Sequence, residues 1–97
     1  IIASAKAAVE GLTVTLAAEF APSIRVNCIA PSLTDSKISQ SMLKSEVVAE
    51  ALAKAHPLKR LGEGKDSASL AKFLLSGENS WVTGQIIGVD GGRSSLS

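Results

Sequence analysis

The residue types that could do chemistry are concentrated in two short stretches of this chain. Lys6 lies in an opening helical stretch among small apolar residues, and a loop at 31–37, rich in Ser, Thr and Asp, follows a predicted strand. Ligands of open α/β sheets bind outside the carboxyl ends of the strands, which makes this loop the most function-prone segment. Taken alone, each stretch also has a plainer interpretation. Lys6 could be a surface lysine whose stem covers apolar neighbours, and the loop could be an ordinary polar connection.

The remaining reactive side chains, Cys28 and His56, predict no separate chemical centre. Cys28 is the only cysteine, so no disulfide can form within the chain, and its apolar surroundings favour a buried, unreactive thiol. One histidine and one cysteine far apart cannot form a zinc site on their own, and no metal site is predicted. His56 lies in a connecting segment and is predicted to be a surface histidine.

The composition excludes several classes of function. The 97 residues suffice for one small domain, and 45% of them are apolar. The net charge of +1, from 10 basic and 9 acidic residues, gives no electrostatic footprint for nucleic acid or an anionic membrane. No apolar stretch approaches the ~20 residues that span a bilayer, and no signal peptide is recognisable. We therefore expect a reducing, cytoplasmic setting.

The first part of the chain predicts a helix followed by a buried strand. The helix covers residues 3–20, and its apolar residues recur at three- and four-residue spacing; they are Val9, Leu12, Leu16 and Phe20. Gly11 costs about 1 kcal/mol in a helix interior, which suggests close packing there. Pro22 ends the helix, because the residue before a proline is pushed out of the α region. A β-branched run at 24–30 predicts a strand typical of parallel sheets.

The middle of the chain predicts a further helix and a connector. Residues 37–55 carry a ragged apolar stripe with lysines and glutamates on the other face. This segment could form a lid over a site or an ordinary surface helix, and both interpretations stay open. Residues 56–66 form the connector.

The last part predicts a helix, a strand and a turn. Asp66 is expected to be the N-cap of a helix over 67–76, and Gly77 is expected to be its C-terminal cap. Residues 85–89 predict a second buried strand. A turn at Asp90-Gly91-Gly92 follows, and then a tail that is either loose or in contact with a partner.

The element order of helix, strand, lid helices, helix and strand predicts an α/β fold that is incomplete on its own. The passage from strand through helix to strand suggests a right-handed parallel crossover. Both strands are apolar on both faces and need covering layers. Residues 1–97 are therefore expected to form a single partial domain, one end of a larger doubly wound parallel sheet. Its strand edge would pair with another chain, so a homo-oligomer or association with a missing N-terminal half is expected.

Several motifs in one order resemble the short-chain dehydrogenase/reductase superfamily over essentially all 97 residues. SAKAAVEGLTVTLAAEFAPSIRVNCIAPS is similar to the family's active-site helix and sixth strand, and HPLKRLGEGKDSASLAKFLLSGENSWVTGQIIGVDGG to its closing helix and seventh strand. The resemblance implies the C-terminal half of a Rossmann-like fold that binds NAD or NADP. It also implies hydride transfer between nicotinamide and a small carbonyl or alcohol substrate. Residues 37–61 match the family's variable substrate lid.

The family's catalytic pair is a tyrosine and a lysine four residues later, which share one face of a helix. The lysine charge lowers the phenol pKa, so that tyrosinate can exchange a proton during hydride transfer. Lys6 matches the lysine, which implies a catalytic and ribose-binding role, but Ile2 stands at the tyrosine position. An isoleucine has no proton to exchange, and Ser4 is a poor substitute for a phenol.

The resemblance places the cofactor contacts in the loop after the predicted strand at 24–30. Pro31 and Ser32 match the family's Pro-Gly, with Ser32 replacing the usual glycine. Leu33 and Thr34 would present backbone groups to the nicotinamide carboxamide, and Ser36 sits at the usual hydroxyl position near the pyrophosphate.

Three further features match positions of the family that are not catalytic. Asn27 and Gly84 lie at commonly retained positions and are interpreted as structural. The turn at Asp90-Gly91-Gly92 matches the family's closing turn near the oligomer interface and is not a phosphate loop.

Two hypotheses about function follow from the resemblance and from what the 97 residues lack. The family's glycine-rich fingerprint, its catalytic serine and the residue that selects NAD from NADP do not occur in this chain. In the first hypothesis, the chain belongs to an NAD(P)-dependent oxidoreductase, is inactive as a fragment, and has a glycine-rich loop upstream of Ile1. In the second, it is a truncated, non-catalytic module that self-associates and has no affinity for the cofactor.

Overall fold

The computed structural model describes residues 1–35 and 45–96. Ser36 and the first part of the predicted helix at 37–55 lie outside these residues. The elements follow one another as helices, strands and one 3₁₀ turn. In chain order they are α1 (Ile2–Phe20), β1 (Cys28–Pro31), β2 (Thr34–Asp35), α2 (Glu46–Lys54), β3 (Gly62–Glu63), α3 (Gly64–Leu75), the 3₁₀ turn Gly77–Asn79, β4 (Ile86–Val89) and α4 (Arg93–Leu96).

The chain divides into two compact units. The first comprises Ile1–Ile29 and Ala71–Ile87, and the second comprises Ala30–Leu70 and Gly88–Ser97. Strand β1 is the neighbour of β4 in a two-stranded sheet. The N–H of Cys28 donates to Gln85 O and the N–H of Ser32 donates to Val89 O, at 2.8 and 3.2 Å. The sequence offset is the same in both bonds, which is the pattern of a parallel ladder and agrees with the predicted α/β class.

Helix α1 confirms the predicted helix at 3–20, but its buried face is not the predicted one. Thr13 and Ala17, four residues apart, are buried, and the Thr13 hydroxyl donates to Val9 O at 2.8 Å. The predicted apolar stripe stays largely outside: Val9, Leu12 and Phe20 are 54%, 56% and 40% exposed. Small side chains allow another backbone to approach closely. The buried face of α1 is therefore the one with the small residues Thr13 and Ala17.

Gly11 does not mark a close packing contact within the described part of the chain. A Cβ added there would meet nothing within 4 Å, so the expectation of tight packing at Gly11 is wrong for these residues. The glycine that does lie against α1 is Gly84. Its φ is +71°, and an added Cβ would lie 3.6 Å from the Ala17 Cβ.

The predicted strand at 24–30 begins late, at Cys28, and the side chains before it bond to the end of α3 and to the loop before β4. The Arg25 guanidinium donates to Leu74 O at 2.7 Å and to Val82 O at 3.1 Å. The Asn27 amide donates to Val82 O at 3.0 Å and accepts from the N–H of Gln85 at 3.1 Å. Asn27 thus bridges two backbone groups of the loop before β4, as a structural residue would.

In the second unit, helix α2 begins at a serine cap and a short parallel pairing precedes α3. Ser45 Oγ accepts from the N–H of Val48 at 3.5 Å. Strand β2 pairs with β3 in parallel, with Thr34 opposite Gly62. The pairing takes up part of the predicted connector at 56–66.

Helix α3 begins at Gly64, so Asp66 is not its N-cap as predicted. Asp66 is the third helical residue, and its Oδ2 accepts from the N–H of Glu63 at 2.7 Å. This is the reach-back half of a capping box, in which an acidic side chain satisfies the donor at the cap position. Asp66 also forms a bidentate ion pair with Arg60, at 2.8 and 3.0 Å. The Arg60 bond, followed by the Glu63 N–H, lowers the pKa of Asp66 to about 2.

The C-terminal end of α3 and the C-terminal tail differ from the prediction. Gly77 does not close α3 with a positive φ; it begins a 3₁₀ turn capped by Ser76, and the Asn79 amide donates to Phe73 O near the end of α3. The predicted turn at 90–92 is present, with positive φ at Gly91 and Gly92. The C-terminal tail, which is predicted to be loose or to contact a partner, forms helix α4 at Arg93–Leu96.

No helix among residues 1–35 and 45–96 combines the length and the apolar character required to cross a membrane.

Gly84→Ala is expected to lower the free energy of unfolding by about 1–2 kcal/mol, because alanine would have to hold a left-handed backbone against Ala17. Gly77→Ala is the control, since an added Cβ there meets nothing within 4 Å, and we expect a change below about 0.5 kcal/mol. Urea denaturation followed by circular dichroism measures both. Equal denaturation midpoints for the two variants would contradict the requirement for a glycine at position 84.

The depressed pKa of Asp66 predicts acid sensitivity with a defined sign. A carboxyl whose folded pKa lies below its unfolded value of about 3.9 stabilises the fold above that value. This stabilisation is lost as the pH falls through about 2. Asp66→Asn should therefore flatten the fall in stability between about pH 4 and pH 2 relative to the parent protein. Glu78→Gln, at an exposed residue of the 3₁₀ turn, serves as the control, and an equal effect of both would refute the role of Asp66.

Candidate functional site

The loop that follows β1 is fixed at Ser32 by three hydrogen bonds. The N–H of Ser32 donates to Val89 O of β4 at 3.2 Å, which extends the parallel ladder by one residue. Its carbonyl accepts from the Thr34 hydroxyl at 3.0 Å, a local turn bond. Its own hydroxyl lies 2.9 Å from Nε2 of His56. The backbone and the side chain of Ser32 are therefore both held by hydrogen bonds. These bonds fix the direction in which the loop leaves the strand.

The next residues of the loop are held against the segment that precedes α3. Leu33 O accepts from the N–H of Gly62 at 3.1 Å, and Thr34 stands opposite Gly62 in the short parallel pairing. A Cβ added at Gly62 would lie 3.1 Å from Thr34 Oγ1 and 3.5 Å from Leu33 O. The two backbones approach closely because residue 62 has no side chain.

The prediction that His56 is a surface histidine is wrong. The residue is 1% exposed and is the most deeply buried of the large side chains that the structure describes. Its Nδ1 lies 2.7 Å from Leu52 O, and its Nε2 lies 2.9 Å from Ser32 Oγ. A carbonyl oxygen can only accept, so Nδ1 carries the hydrogen. In the neutral imidazole, Nε2 is then the acceptor and the Ser32 hydroxyl the donor.

The sequence does contain a signal for the role of His56, although it is a weak one. Helix α2 ends at Lys54, and Pro57 follows the histidine. The N–H of His56 donates to Ala53 O at 3.1 Å, which leaves Leu52 O without a backbone donor. Histidine near a helix C-terminus can supply such a donor from its side chain. What the sequence could not reveal is Ser32, which lies 24 positions away.

A cavity of about 310 Å³ lies beside this loop within the second unit. Its walls include the loop residues, the buried histidine and the turn after β4; Ser32, Leu33, Thr34, His56, Asp90 and Gly91 are among them. The volume is at the lower end of the range of small-molecule pockets. At its rim, the Ser94 hydroxyl and the Gly92 N–H bond to Asp90 and lower the pKa of its carboxyl. That carboxylate is therefore committed to the turn.

Of the other residues considered in the sequence analysis, Lys6 and Pro31 are exposed and Cys28 is half-buried. Lys6 is an exposed residue of α1, and within the described ranges its ammonium forms no ion pair with an acidic side chain. Pro31 is the last residue of β1 and is exposed. Cys28 is only half-buried, so the expectation of full burial is not met; its thiol contacts Ile29 O at 3.7 Å. Among the residues with assigned positions, no cluster of His, Cys, Asp or Glu could hold a metal ion.

Relatives of known sequence resemble this chain over nearly its whole length. An uncharacterised short-chain type dehydrogenase/reductase of Sinorhizobium fredii is 44% identical over 90 residues, which cover 92% of this chain and 35% of that protein. Tropinone reductase-like 3 of Erythroxylum coca is 40% identical over 90 residues, covering 93% of this chain and 35% of that protein. The chain spans about a third of the length of these curated relatives.

Solved structures give the same result for the fold. A C-terminal deletion mutant of aldohexose dehydrogenase from Thermoplasma acidophilum matches with a TM-score of 0.89 at 33% identity, over 95% of this chain and 44% of that one. ElxO with NADP bound matches with a TM-score of 0.86 at 34% identity, over 95% of this chain and 38% of that one. These neighbours establish an α/β, Rossmann-like architecture of which this chain represents less than half.

The family model described as enoyl-(acyl carrier protein) reductase matches residues 1–94. This match, the named relatives and the structural neighbours agree with the motifs at both ends of the sequence. The chain belongs to the short-chain dehydrogenase/reductase superfamily, and it corresponds to the C-terminal portion of its members.

Proposed function

We propose that this chain forms the nicotinamide-facing part of an NAD(P)-dependent oxidoreductase that acts on a small carbonyl or alcohol substrate. In this proposal the loop Pro31–Thr34, with Ser36, contacts the cofactor, and Lys6 binds its ribose hydroxyls. The observation that carries the proposal is the geometry of the loop. It leaves the carboxyl end of a parallel strand, where α/β sheets bind ligands, and it borders a cavity of about 310 Å³.

The groups that the loop offers fit a carboxamide. The N–H of Ser32 and the carbonyls of Ser32 and Leu33 are all engaged in bonds that fix the loop. The Leu33 N–H donates to no acceptor within the described residues, and Leu33 lines the cavity. An amide group carries a carbonyl oxygen that needs such a donor. We therefore assign the Leu33 N–H to the carboxamide oxygen of the nicotinamide.

Lys6 suits the ribose because its ammonium has three donors and forms no ion pair with an acidic side chain of residues 1–35 and 45–96. Hydrogen bonds from a charged donor are shorter and stronger than those between neutral groups. When bound, the cofactor supplies the hydride, and the protein supplies orientation and charge. Because Ile2 occupies the position of the family's tyrosine, this chain binds and orients the cofactor without that tyrosine's proton transfer.

The test is a fluorescence titration with NADPH and NADH in the protein that carries this chain. We expect saturable binding, weakened about ten- to hundred-fold in Lys6→Met, because a hydrogen bond to a charged group contributes about 1.5–3 kcal/mol. Lys72→Met is the matched control, since Lys72 is an exposed lysine on α3. Equal affinities of the two variants would rule out the assignment of Lys6.

The exposed apolar face of α1 supports a second candidate function, a non-catalytic module that self-associates. Val9, Leu12 and Phe20 lie on one side of the helix and are 54%, 56% and 40% exposed. Large apolar side chains grouped on one helix favour burial against another protein surface. A second copy of the chain could supply that surface through a two-fold interface.

Light scattering after gel filtration tests this second candidate. Leu12→Glu should lower the molar mass by splitting the oligomer, because burying an unpaired carboxylate in an apolar interface is costly. Val47→Glu makes the same change at a 77% exposed residue of α2 and should leave the mass unchanged. A protein that is a monomer before substitution, or a mass unaffected by Leu12→Glu, would eliminate self-association through α1.

A further inference from the structure

The end of helix α2 is completed by a side chain instead of a backbone group. The N–H of Ala55 donates to Ala51 O, but the N–H of His56 donates to Ala53 O and so skips Leu52 O. Instead, Nδ1 of the His56 imidazole donates to Leu52 O at 2.7 Å. Carbonyls in the last turn of a helix need partners of this kind, so the imidazole supplies the hydrogen-bond donor that the end of α2 lacks.

The opposite side of the same imidazole is fixed to the loop that follows β1. Nε2 lies 2.9 Å from Ser32 Oγ. Ser32 stands where the family's usual residue is glycine, which has no hydroxyl to offer. One aromatic ring therefore links the last turn of α2 directly to the first residue after β1, through a bond that a glycine at position 32 could not form.

The ring of His56 lies close to the turn at Gly91. A Cβ added at Gly91 would lie 3.5 Å from the His56 Cβ and 3.7 Å from its Cδ2. The N–H of Leu58 donates to Gly91 O at 3.1 Å and holds that turn in place beside the ring. The imidazole is 1% exposed, so water cannot replace either of its two partners without an opening of the surrounding residues.

We propose that His56 is a positioning residue that couples helix α2 to the cofactor loop through Ser32. A displacement of Ser32 then moves the His56 ring, and the ring carries the displacement to Leu52 and the last turn of α2. Binding of a nicotinamide cofactor at the loop therefore stabilises α2, and the Ser32 hydroxyl carries that coupling. This inference rests on the proposed function of the loop as a cofactor contact.

The test measures amide hydrogen exchange of α2 with and without NADPH, in the protein that carries this chain. In the parent protein, saturating NADPH should slow exchange in α2 by about two- to ten-fold, which is the scale of the net contribution of one hydrogen bond to stability. Ser32→Ala should remove this slowing, and Ser32→Thr, which keeps the hydroxyl, should restore it. Ser69→Ala is the control: its hydroxyl also donates to a backbone carbonyl, Asp66 O at 3.1 Å, but Ser69 lies on α3.

The outcomes separate this inference from the proposed function on which it rests. Saturable NADPH binding with equal protection of α2 in the parent protein and Ser32→Ala would overturn the coupling and leave the cofactor site intact. Absence of NADPH binding in the parent protein would overturn both. If Ser32→Ala fails to fold, His56→Gln provides the second variant. Its amide has two N–H donors and one carbonyl acceptor, but all of them lie at the end of the side chain. We do not expect it to reach Leu52 O and Ser32 Oγ together, so protection that persists in it would also refute the coupling.

Discussion

The second unit is organised by one requirement: a buried imidazole needs hydrogen-bond partners for both of its ring nitrogens. His56 is 1% exposed and meets this requirement with Leu52 O and Ser32 Oγ. The two partners come from the end of a helix and from the loop after a strand. The parallel ladder fixes Ser32 from its backbone side through Val89. The position of the loop is therefore determined from two independent directions, and the candidate site follows from it.

The helix and strand periodicities predicted the regular elements well, because those signals are local. The helix expected at 3–20 is Ile2–Phe20, and the strand expected at 85–89 is Ile86–Val89. The boundaries that failed depend on contacts distant in sequence. Residues 24–27 were expected to belong to a strand, but Arg25 and Asn27 bond to carbonyls and amides more than 45 positions away. No periodicity in the sequence reports such partners.

The candidate site was predictable in its location and not in its construction. The loop after the predicted strand at 24–30 could be found from composition and from its place at a strand end. For His56 the sequence offers only the weak signal of a histidine after a helix end, because its burial depends on Ser32 and on the turn at Gly91. The same limit applies to α1, whose apolar stripe suggested a core face. Thr13 and Ala17 are the residues of α1 that the chain buries, whereas Val9, Leu12 and Phe20 stay largely exposed.

Family membership and the departures from the family pattern together define what is distinctive here. In the proposed function, Lys6 takes the role of the family's lysine, while Ile2 and Ser32 stand where the resemblance implies a tyrosine and a glycine. Under this proposal the first departure removes a proton donor. The second adds a hydroxyl that the structure places on a buried histidine.

The most direct measurement of the central claim is the change in backbone amide chemical shifts on addition of NADPH. We expect the largest shift at the Leu33 N–H, smaller shifts at Ser32 and Thr34, and none at Lys72. Saturable binding that leaves the amides of residues 32–34 unshifted would contradict that claim.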